Sequence, residues 1–401
     1  MSKVVFDNII NAFAYKSNKE LKSAKFLFSL MGYPLFVPIA TRITPLLVKA
    51  RTPFLNKIIR KTIFKQFVGG ESLDQTAAVA ANLGKYGVKI ILDYGVEGKE
   101  GEDNFDYATY QFIKVIKYAA TQSNIPFISI KVSGFARQGL LQALNDAPRL
   151  RSGIHDNEEQ LAEWDKVCDR MYGICEVAKQ LNIGVLVDAE ESWLQDPVDR
   201  LTMEMMEEFN TEKPIVYNTI QLYRHDRLGF LHLSHKIAKE KGFILAVKLV
   251  RGAYMEKERT RAVLRNYPSL IQPTKEKTDI DYNKALTYTI ANIDTIATIV
   301  ASHNEQSNLL ATQLMEDNNI PNDHPHVHFS QLYGMSDNIT FNLSKAGYSV
   351  SKYLPFGPIK DVVPYLMRRA QENSSVSGQT GRELDLIKKE LQRRKWAGAN
   401  S

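Results

Sequence analysis

The chain has 401 residues, of which 44% are hydrophobic and 24% are charged, as in ordinary globular proteins. This length exceeds what one small core needs, but a barrel of ~250 residues with an additional region would account for it. The net charge of +6 is unevenly spread, because residues 1–70 contain twelve Lys and Arg against two acids. That excess predicts an anionic partner, and a membrane surface is favoured over nucleic acid because no basic, aromatic-rich nucleic-acid module is recognisable.

The N-terminal region does not resemble a cleavable signal or a membrane-spanning segment. Its uncharged run, residues 26–41, is interrupted by Gly32, Pro34 and Pro38, and it is shorter than the ~20 residues that a spanning helix needs. Two interpretations remain open for residues 1–70. They form helices that pack on the main domain, which is the simpler interpretation, or helices that lie on a bilayer.

The two cysteines, Cys168 and Cys175, lie seven residues apart on a predicted helix, too far apart for a disulfide bond. Reduced thiols fit a reducing compartment, so we predict a cytoplasmic protein, with contact to the inner face of the membrane possible. No set of His, Cys and acidic residues has the spacing of metal ligands. The histidines at 324, 326 and 328 alternate as residues on one face of a strand do, and we predict no metal site.

From residue 71 onward, strand-like runs alternate with helical patterns, which predicts a parallel sheet covered by helices. The predicted strands are 88–94, 127–133, 183–190, 215–223, 244–254, 296–304, 326–332 and 348–353. The predicted helices between and after them are 106–122, 158–180, 197–209, 226–241, 282–293, 305–316 and 360–373. Eight such repeats predict a closed (β/α)8 barrel of the α/β class over residues 71–375, followed by a loop and helix at 376–401. An open doubly wound sheet is the alternative, weakened because no GxGxxG motif follows any strand.

Polar residues collect where these strands end. In strand order they are Asp93, Lys131, Asp188, Gln221, Lys248 with Arg251, Ser302 with His303 and Asn304, Gln331, and Lys352 with Tyr353. The carboxyl ends of barrel strands form the rim on which barrel enzymes build their sites. We therefore expect the functional site there.

The most informative strand is AVKLVRGAY at 246–254. The two-residue period of a strand places Lys248 on one face, with Ala246 and Val250, and Arg251 on the other. An ammonium group among apolar residues costs several kcal/mol unless a partner is present. Gly252 leaves the backbone open to a flat ligand, beside which Tyr254 is a possible wall.

A second cluster lies on the helix after the last strand, in PYLMRRAQEN at 364–373. Tyr365, Arg368, Arg369 and Glu372 have the spacing of residues on one helical face. Two neighbouring guanidinium groups can bind one carboxylate, and Glu372 can orient one of them.

These motifs together resemble the proline dehydrogenase family, over roughly residues 65–375. The matching segments are LDYGVEG at 92–98, SIKVSG at 129–134, VDAEE at 187–191, KLVRGAY at 248–254, ASHN at 301–304, and YLPFGP with PYLMRRAQENSS at 353–375. The resemblance is to the single-activity form, because the chain ends before any aldehyde dehydrogenase domain. It implies FAD, oxidation of L-proline to Δ1-pyrroline-5-carboxylate by hydride transfer to flavin N5, and electron transfer to a membrane quinone.

The resemblance also implies roles for particular residues around the substrate. Lys131, Arg368 and Arg369 would bind the proline carboxylate, and Asp188 would lie beside the substrate and the flavin. Tyr353 and Tyr365 would wall the pyrrolidine ring above Leu332. Tyrosine at 353 favours proline over hydroxyproline. No base for the proline amine is assigned.

For the cofactor, the resemblance places Lys248 near flavin N5 and N1, where a cation would stabilise the reduced anionic ring. Many bacterial relatives have Arg at this position and Lys at 251, so the two-pronged contact of a guanidinium group is absent here. The other residues implied to contact FAD are Ala189, Gln221, Val250, Gly252, Ala253, Tyr254, Ser302, His303 and Glu372. Met255 replaces the Trp that stacks on adenine in fused relatives.

Two other functions remain open from the residues alone. A Schiff-base lyase on the same barrel would use Lys248 or Lys131 as its imine-forming lysine. A non-enzymatic scaffold on the membrane surface would explain residues 1–70 but not the polar strand ends. The sequence does not decide the oligomeric state, the quinone, or whether a separate pyrroline-5-carboxylate dehydrogenase docks.

Overall fold

The computed structural model describes residues 4–32, 57–95, 99–146, 158–375 and 379–399. Eight strands within them form a closed barrel in chain order, which confirms the (β/α)8 prediction and shows the open-sheet alternative to be wrong. The strands are β1 (Lys89–Tyr94), β2 (Phe127–Ile130), β3 (Gly184–Val187), β4 (Val216–Gln221), β5 (Leu245–Val250), β6 (Ile296–Ala301), β7 (Val327–Leu332) and β8 (Val350–Phe356).

Helices precede the barrel, connect its strands and follow it. In chain order they are α1 (Ile9–Phe13), α2 (Asn18–Met31), α3 (Lys65–Phe67), α4 (Leu73–Gly84), α5 (Glu102–Ala120), α6 (Gln138–Asp146), α7 (Glu158–Leu181), α8 (Ser192–Phe209), α9 (Arg227–Lys241), α10 (Met255–Arg265), α11 (Lys275–Ala291), α12 (Glu305–Asp317), α13 (Asp337–Lys345), α14 (Ile359–Ser375) and α15 (Gln379–Ala399). A π-helical turn, Arg60–Phe64, leads into α3, and a 3-10 turn, Val132–Gly134, follows β2.

Strands of a parallel barrel are covered on both faces, so they are continuous apolar runs rather than alternating ones. All four residues of β3 are buried, as are all six of β4. Several predicted strands ran two to four residues too far at their carboxyl ends. The cause is visible after β2, where the backbone turns into a 3-10 helix at Val132 instead of continuing to Ser133.

The chain divides into two compact units. The first unit contains Ile91–Ser330, and its strands are aligned so that Lys248 lies opposite Thr219 on one side and Ile299 on the other. The second unit contains Met1–Ile90 and Gln331–Ser401. The terminal helices of the second unit share a core with α14, to which Phe13, Phe28, Leu366 and Ile387 contribute. The predicted division at residues 70 and 375 stays a prediction.

Both cysteines are free thiols, as predicted. Cys175 is buried and Cys168 is partly buried, and burial raises the pKa of the Cys168 thiol to about 12. In the described ranges, His, Cys, Asp and Glu side chains nowhere form a group of three suited to a metal ion. Among those same residues, no helix combines the length and the apolar character that crossing a bilayer requires.

Candidate active site

The centre of the candidate site is an ion pair between two strand ends of the first unit. Asp188 follows β3, where its backbone N–H donates to the carbonyl of Ile130 at 2.8 Å. Its Oδ1 accepts a hydrogen bond from Ser129 Oγ at 2.7 Å and contacts Lys248 Nζ. Only 6% of the Lys248 side chain and 15% of the Asp188 side chain are exposed. Asp188 is therefore the partner that the buried lysine on β5 was predicted to need.

The electrostatics of this pair keep the carboxyl group ionised. Burial alone would raise the pKa of Asp188, but the positive charges of Lys248 and Lys131 outweigh it and hold that pKa below its ordinary value. The Ser129 hydroxyl lowers it further by donating to the carboxylate. At neutral pH, Asp188 is a carboxylate and does not act as a proton donor.

A second carboxyl group lies close to Lys131. Glu190 is 5% exposed and accepts hydrogen bonds from the Ser133 backbone N–H at 3.1 Å and from the Ser133 hydroxyl. Burial raises the pKa of Glu190, and the Lys131 charge opposes that rise. Lys131 therefore acts electrostatically on both carboxyl groups. We call Ser129, Lys131, Asp188, Glu190 and Lys248 the rim cluster.

Gln221, beside the rim cluster, offers a hydrogen-bond acceptor that fits a bound ring with a polar edge. Gln221 at the end of β4 donates from Nε2 to the Glu190 carbonyl at 3.2 Å. Its Oε1 is buried and, within the described part of the chain, accepts no hydrogen bond. A buried acceptor left unpaired costs about 1–3 kcal/mol, so a ligand N–H at this position would be stabilising. FAD has such a group on its ring system, and Gln221 is one of the residues predicted to hold it.

The backbone after β5 requires glycine at position 252. Its φ of +135° lies in a region that side chains disfavour, and a Cβ there would lie 2.4 Å from the Tyr223 ring. The neighbouring Ala253 is exposed and Tyr254 is half-buried. Exposure of Gly252 and Ala253 is what a ligand at this segment would require, and contact with FAD stays a prediction.

Arg251 faces the helix layer, opposite to Lys248, which confirms the predicted alternation along β5. Its guanidinium group donates to Asp279 Oδ1 at 2.7 Å, Ser302 Oγ at 2.7 Å and Ser307 Oγ at 3.0 Å. It also lies 4.3 Å from the centroid of the Tyr282 ring. The hydroxyl of Ser302 is therefore engaged by Arg251.

The remaining predicted cofactor contacts of the first unit lie at strand ends. Ala189 is buried after β3, Val250 is half-buried at the end of β5, and His303 is half-buried after β6. The structure places each of them at the carboxyl end of its strand. Their predicted roles, like that of Ser302 at the pyrophosphate, stay predictions.

The second unit contains the residues predicted to hold the proline carboxylate and ring. Tyr365 and Arg369 are both buried on α14, with the guanidinium group 5.2 Å from the Tyr365 ring centroid. Arg368 beside them is half-buried. Leu332 ends β7 and Tyr353 lies on β8, both half-buried. Convergence of these residues with Lys131 on one substrate stays a prediction.

Glu372 also belongs to α14, but its side chain lies outside the described part of the structure. Of the LDYGVEG motif, residues 96–98 lie outside it as well.

Sequence reasoning missed Ser129 and Glu190. Ser129 lies two residues before Lys131 on the same strand face, so the two-residue period could have revealed it. Glu190 lies within VDAEE, where the two-residue period of a strand places it on the same face as Asp188, opposite to Ala189.

It also missed a buried charged group in the second unit. Asp337 accepts from Tyr15 Oη at 2.8 Å and pairs with Lys16 and Lys352 Nζ, each at 2.9 Å. Glu383 lies nearby and accepts from the Ser336 backbone N–H. We call Tyr15, Lys16, Asp337, Lys352 and Glu383 the core cluster. Lys352, a lysine inside an apolar strand, was the available signal.

The fold and the site together define a (β/α)8-barrel protein with a lysine–carboxylate cluster at the carboxyl ends of its strands. The sequence profile described as "Proline dehydrogenase" matches residues 76–382, most of the chain. The chain therefore belongs to the proline dehydrogenase family and is an enzyme of that kind, as its motifs predicted.

Of three curated relatives, two carry the family's name and one is named for carbapenem biosynthesis. The chain is 35% identical over 335 residues to "Carbapenem antibiotics biosynthesis protein CarD" of Pectobacterium carotovorum subsp. carotovorum, covering 82% of this chain and 83% of that protein. It is 32% identical over 381 residues to "Proline dehydrogenase 1, mitochondrial" of Dictyostelium discoideum, covering 85% of this chain and 66% of the relative. The human protein of the same name is 41% identical over 241 residues, covering 59% and 40%.

Solved structures support the fold alone, because their sequence identities are low. The proline utilization A (PutA) structure from Bdellovibrio bacteriovorus, inactivated by N-propargylglycine, matches with a TM-score of 0.71 at 22% identity, over 92% of this chain and 38% of that one. A PutA structure with proline bound in remote sites matches with a TM-score of 0.67 at 19% identity, over 95% and 42%. The chain thus spans less than half of these larger proteins.

Proposed function

We propose that the protein oxidises L-proline to Δ1-pyrroline-5-carboxylate with FAD as cofactor and passes the electrons to a membrane quinone. The observation that carries the proposal is the rim cluster, in which two lysines and an ionised aspartate meet at the ends of β2, β3 and β5. Family membership supplies the substrate class. Bound FAD would supply the acceptor for a hydride from the ring carbon next to the proline nitrogen.

The residues of the chain would prepare that reaction by charge and position. Lys248 would hold a fixed positive charge beside the ring that becomes negative, which is electrostatic stabilisation. Asp188 would keep that lysine in place through their ion pair. Gln221 would offer its unpaired Oε1 to a ring N–H, and Gly252 would let the backbone come close to the cofactor.

The substrate would be positioned through its carboxylate. We propose that Lys131, Arg368 and Arg369 bind this group and that Tyr353, Tyr365 and Leu332 enclose the ring. Holding the carboxylate fixes which carbon faces the flavin, and such positioning lowers the barrier without any covalent step.

The direct test is anaerobic addition of L-proline to the purified protein with FAD while the flavin absorbance is recorded. The proposal predicts loss of the oxidised flavin band and formation of the pyrroline product in equal amounts. An unchanged spectrum with saturating proline would refute it.

Arg368→Met sharpens this test. It should raise KM for proline by roughly 100-fold, because a charge-assisted contact of about 3 kcal/mol is lost, while bound flavin stays unchanged. Arg382→Met, an exposed arginine of α15, is the matched control and should leave KM unchanged. Equal KM values for both variants would remove Arg368 from the substrate site.

The Schiff-base lyase predicts a different outcome. An imine-forming lysine must bring its Nζ onto a carbonyl carbon, whereas Lys248 Nζ contacts the Asp188 carboxylate. Borohydride trapping of a carbonyl substrate on Lys248 or Lys131 would support the lyase and contradict our proposal.

For location, we propose a cytoplasmic protein that contacts the inner face of the membrane through its basic N-terminal region. In its described part, Lys22, Lys25 and Phe26 on α2 are exposed, Phe26 by 63%. Deleting the region would remove Phe13 and Phe28 from the shared core. Lys22→Glu with Lys25→Glu is therefore the better test and should weaken sedimentation with anionic vesicles. The pyrroline product would pass to a separate pyrroline-5-carboxylate dehydrogenase. We propose no nucleic-acid partner.

A further inference from the structure

The helix α10, which follows β5, has an inverted distribution of apolar residues. Val263 is 81% exposed and Leu264 is 77% exposed, the two highest values among the large hydrophobic residues of the described chain. The buried side of the same helix is formed by Glu258 and Ala262. A helix that only covered the barrel would bury its largest aliphatic residues instead. The exposed pair therefore calls for a partner outside the chain.

The burial of Glu258 shows what holds this orientation. Its carboxylate accepts hydrogen bonds from the Ser192 backbone N–H at 2.6 Å and from the Ser192 hydroxyl at 2.7 Å. One turn further along, the Arg261 guanidinium group lies 4.3 Å from the centroid of the Trp193 ring. Both contacts attach α10 to the segment after β3. The helix cannot turn its apolar residues inward without breaking them.

The charges around the exposed pair identify the partner's chemistry. Basic residues at 257, 259, 261 and 265 outnumber the two acids of α10, Glu256 and Glu258. Lys257 pairs with Glu191 and Glu258 is buried, so the positive excess comes from the three arginines. Arg265, next to Leu264, is exposed. An apolar pair bordered by arginines fits a surface that offers both hydrocarbon and negative charge, which is the interface of a bilayer with anionic lipids.

We propose that the carboxyl-terminal end of α10 is a membrane contact, with Val263 and Leu264 inserted among lipid chains and Arg265 at the anionic headgroups. Helix α10 starts one residue after Tyr254 and is about 16 Å long at 1.5 Å per residue. Because Glu258 and Arg261 contact Ser192 and Trp193 just after β3, the helix lies along the carboxyl ends of the strands, the rim that also carries Lys248. It deepens the proposed function, because it would bring the site to the bilayer that holds the electron acceptor.

The test is sedimentation of the full-length protein with FAD, without turnover, on phosphatidylcholine vesicles and on vesicles that also contain phosphatidylglycerol. Val263→Ser with Leu264→Ser should weaken partitioning by roughly tenfold, because two aliphatic side chains no longer enter the bilayer. Arg265→Gln should weaken binding by about fivefold on the anionic vesicles only. Leu233→Ser, 55% exposed on α9, is the matched control and should bind as the unmodified protein does.

The vesicle assay also separates this contact from the one proposed on α2. Lys22→Glu with Lys25→Glu removes charge from the N-terminal region and leaves α10 unchanged, so the serine pair should weaken that variant's residual binding further. Thermal melts should show the α10 variants to be folded, since the replaced side chains are largely exposed.

Three results would overturn the inference. Equal vesicle binding by the serine variant and the unmodified protein would remove the apolar pair from the contact. An equal loss in Leu233→Ser would show that the effect is not specific to α10. Absence of binding to either vesicle type would favour a protein partner. None of these results depends on flavin reduction by proline, so the inference and the proposed oxidation can fail separately.

Discussion

The rim cluster and the core cluster are built from the same parts, but they differ in how completely they are closed. In each, an aspartate contacts a buried lysine side chain, Lys248 or Lys352, and the pKa of that aspartate lies below its ordinary value. Asp337 and Lys352 of the core cluster are 2% and 0% exposed, whereas Asp188 of the rim cluster keeps 15% exposure. The core cluster is complete without a ligand, while the rim cluster borders a segment that is open to one.

Under the proposed function, this difference separates an ion pair that stabilises the fold from one that serves the reaction. A closed network is strongly destabilised when one member is removed, because the remaining charges stay buried. A network with one side open tolerates the change better and affects ligand binding instead. Substitutions in the core cluster should therefore lower mainly stability, and substitutions in the rim cluster should lower mainly activity.

The largest effect is expected for Asp337→Asn. Lys16 and Lys352 would remain buried without their counter-charge, which costs about 3–5 kcal/mol of unfolding free energy. Urea unfolding at pH 7 measures this cost. Asp385→Asn, at a 68% exposed site on α15, should cost less than about 1 kcal/mol. Equal midpoints for the two variants would contradict the structural role of the core cluster.

The pH dependence of the core cluster is the next largest effect. Burial, together with the Asp337 charge, raises the pKa of Glu383 to about 7, while Lys352, Lys16 and the Ser336 N–H oppose the rise. The folded chain keeps this proton between pH 4.5 and 7, where the unfolded chain has lost it. Raising the pH through that window therefore favours unfolding, by about 3 kcal/mol at pH 8.

Glu383→Gln should remove this loss of stability, because glutamine keeps an oxygen for the Ser336 N–H and does not ionise. Urea midpoints at pH 5 and pH 8 should then differ less than in the unmodified protein. Glu316→Gln, an exposed site on α12, should retain the full difference. If the urea midpoint of Glu383→Gln falls between pH 5 and pH 8 as much as that of the unmodified protein, the pH dependence belongs to another group.

The stability that Asp337 contributes should fall as the pH is lowered, opposite to the effect of pH on Glu383. Burial raises its pKa, but Lys16 and Lys352 outweigh burial and lower the pKa to about 2. A depressed carboxyl pKa contributes stability above the unfolded value of 3.8, and that contribution is lost as the pH falls from 3.8 through about 2. The core cluster therefore loses stability at both ends of its pH range.

For the rim cluster, Asp188→Asn should cost about 2–3 kcal/mol of stability, less than Asp337→Asn, because one contacting lysine rather than two loses its counter-charge. Asparagine can still accept from Ser129, and the site is open on one side. Proline oxidation should fall by roughly 100-fold, because Lys248 loses the charge that positions it. Steady-state rates and urea midpoints measured on one preparation check both numbers. Glu207→Gln, in an exposed ion pair with Lys241, should alter neither.

The contrast between the clusters also explains what the sequence could and could not predict. All eight strands were predicted, because a parallel strand is a continuous apolar run that ends in polar residues. Lys248 signalled the rim cluster because a lysine within such a run needs a counter-charge. Lys352 carries the same signal in YSVSKYLPF, but only its place at a strand end was noted.

What failed were features that depend on distant parts of the chain. Lys16, Asp337 and Glu383 come from three separate segments, so no local pattern links them. Helices α4, α6, α10 and α13 were not predicted. The exposed Val263 and Leu264 leave α10 without a buried apolar face, and α13 is buried along most of its length. Neither shows the division into apolar and polar faces that marks a surface helix.

The smallest expected effect tests whether Asp188 is tuned by its hydroxyl partner as well as by charge. Ser129→Ala removes a 2.7 Å hydrogen bond, worth about 0.5–1.5 kcal/mol, so kcat/KM should fall roughly three- to tenfold. Losing this donor raises the pKa of Asp188, so activity on the acid side should disappear at a higher pH. A pH–rate profile measures that displacement, which a loss of packing alone would not cause.

The matched control for Ser129→Ala is Thr219→Val, which removes another buried hydroxyl bond, that from Thr219 Oγ1 to the Val187 carbonyl at 2.7 Å. It should lower stability by a similar amount and leave the acid limb of the profile in place. If both variants shift the acid limb of the pH–rate profile equally, the hydroxyl contacts affect the rim cluster only through packing. A shift confined to Ser129→Ala would show that the open cluster, unlike the closed one, uses its hydrogen bonds to set the charge of a residue at the site.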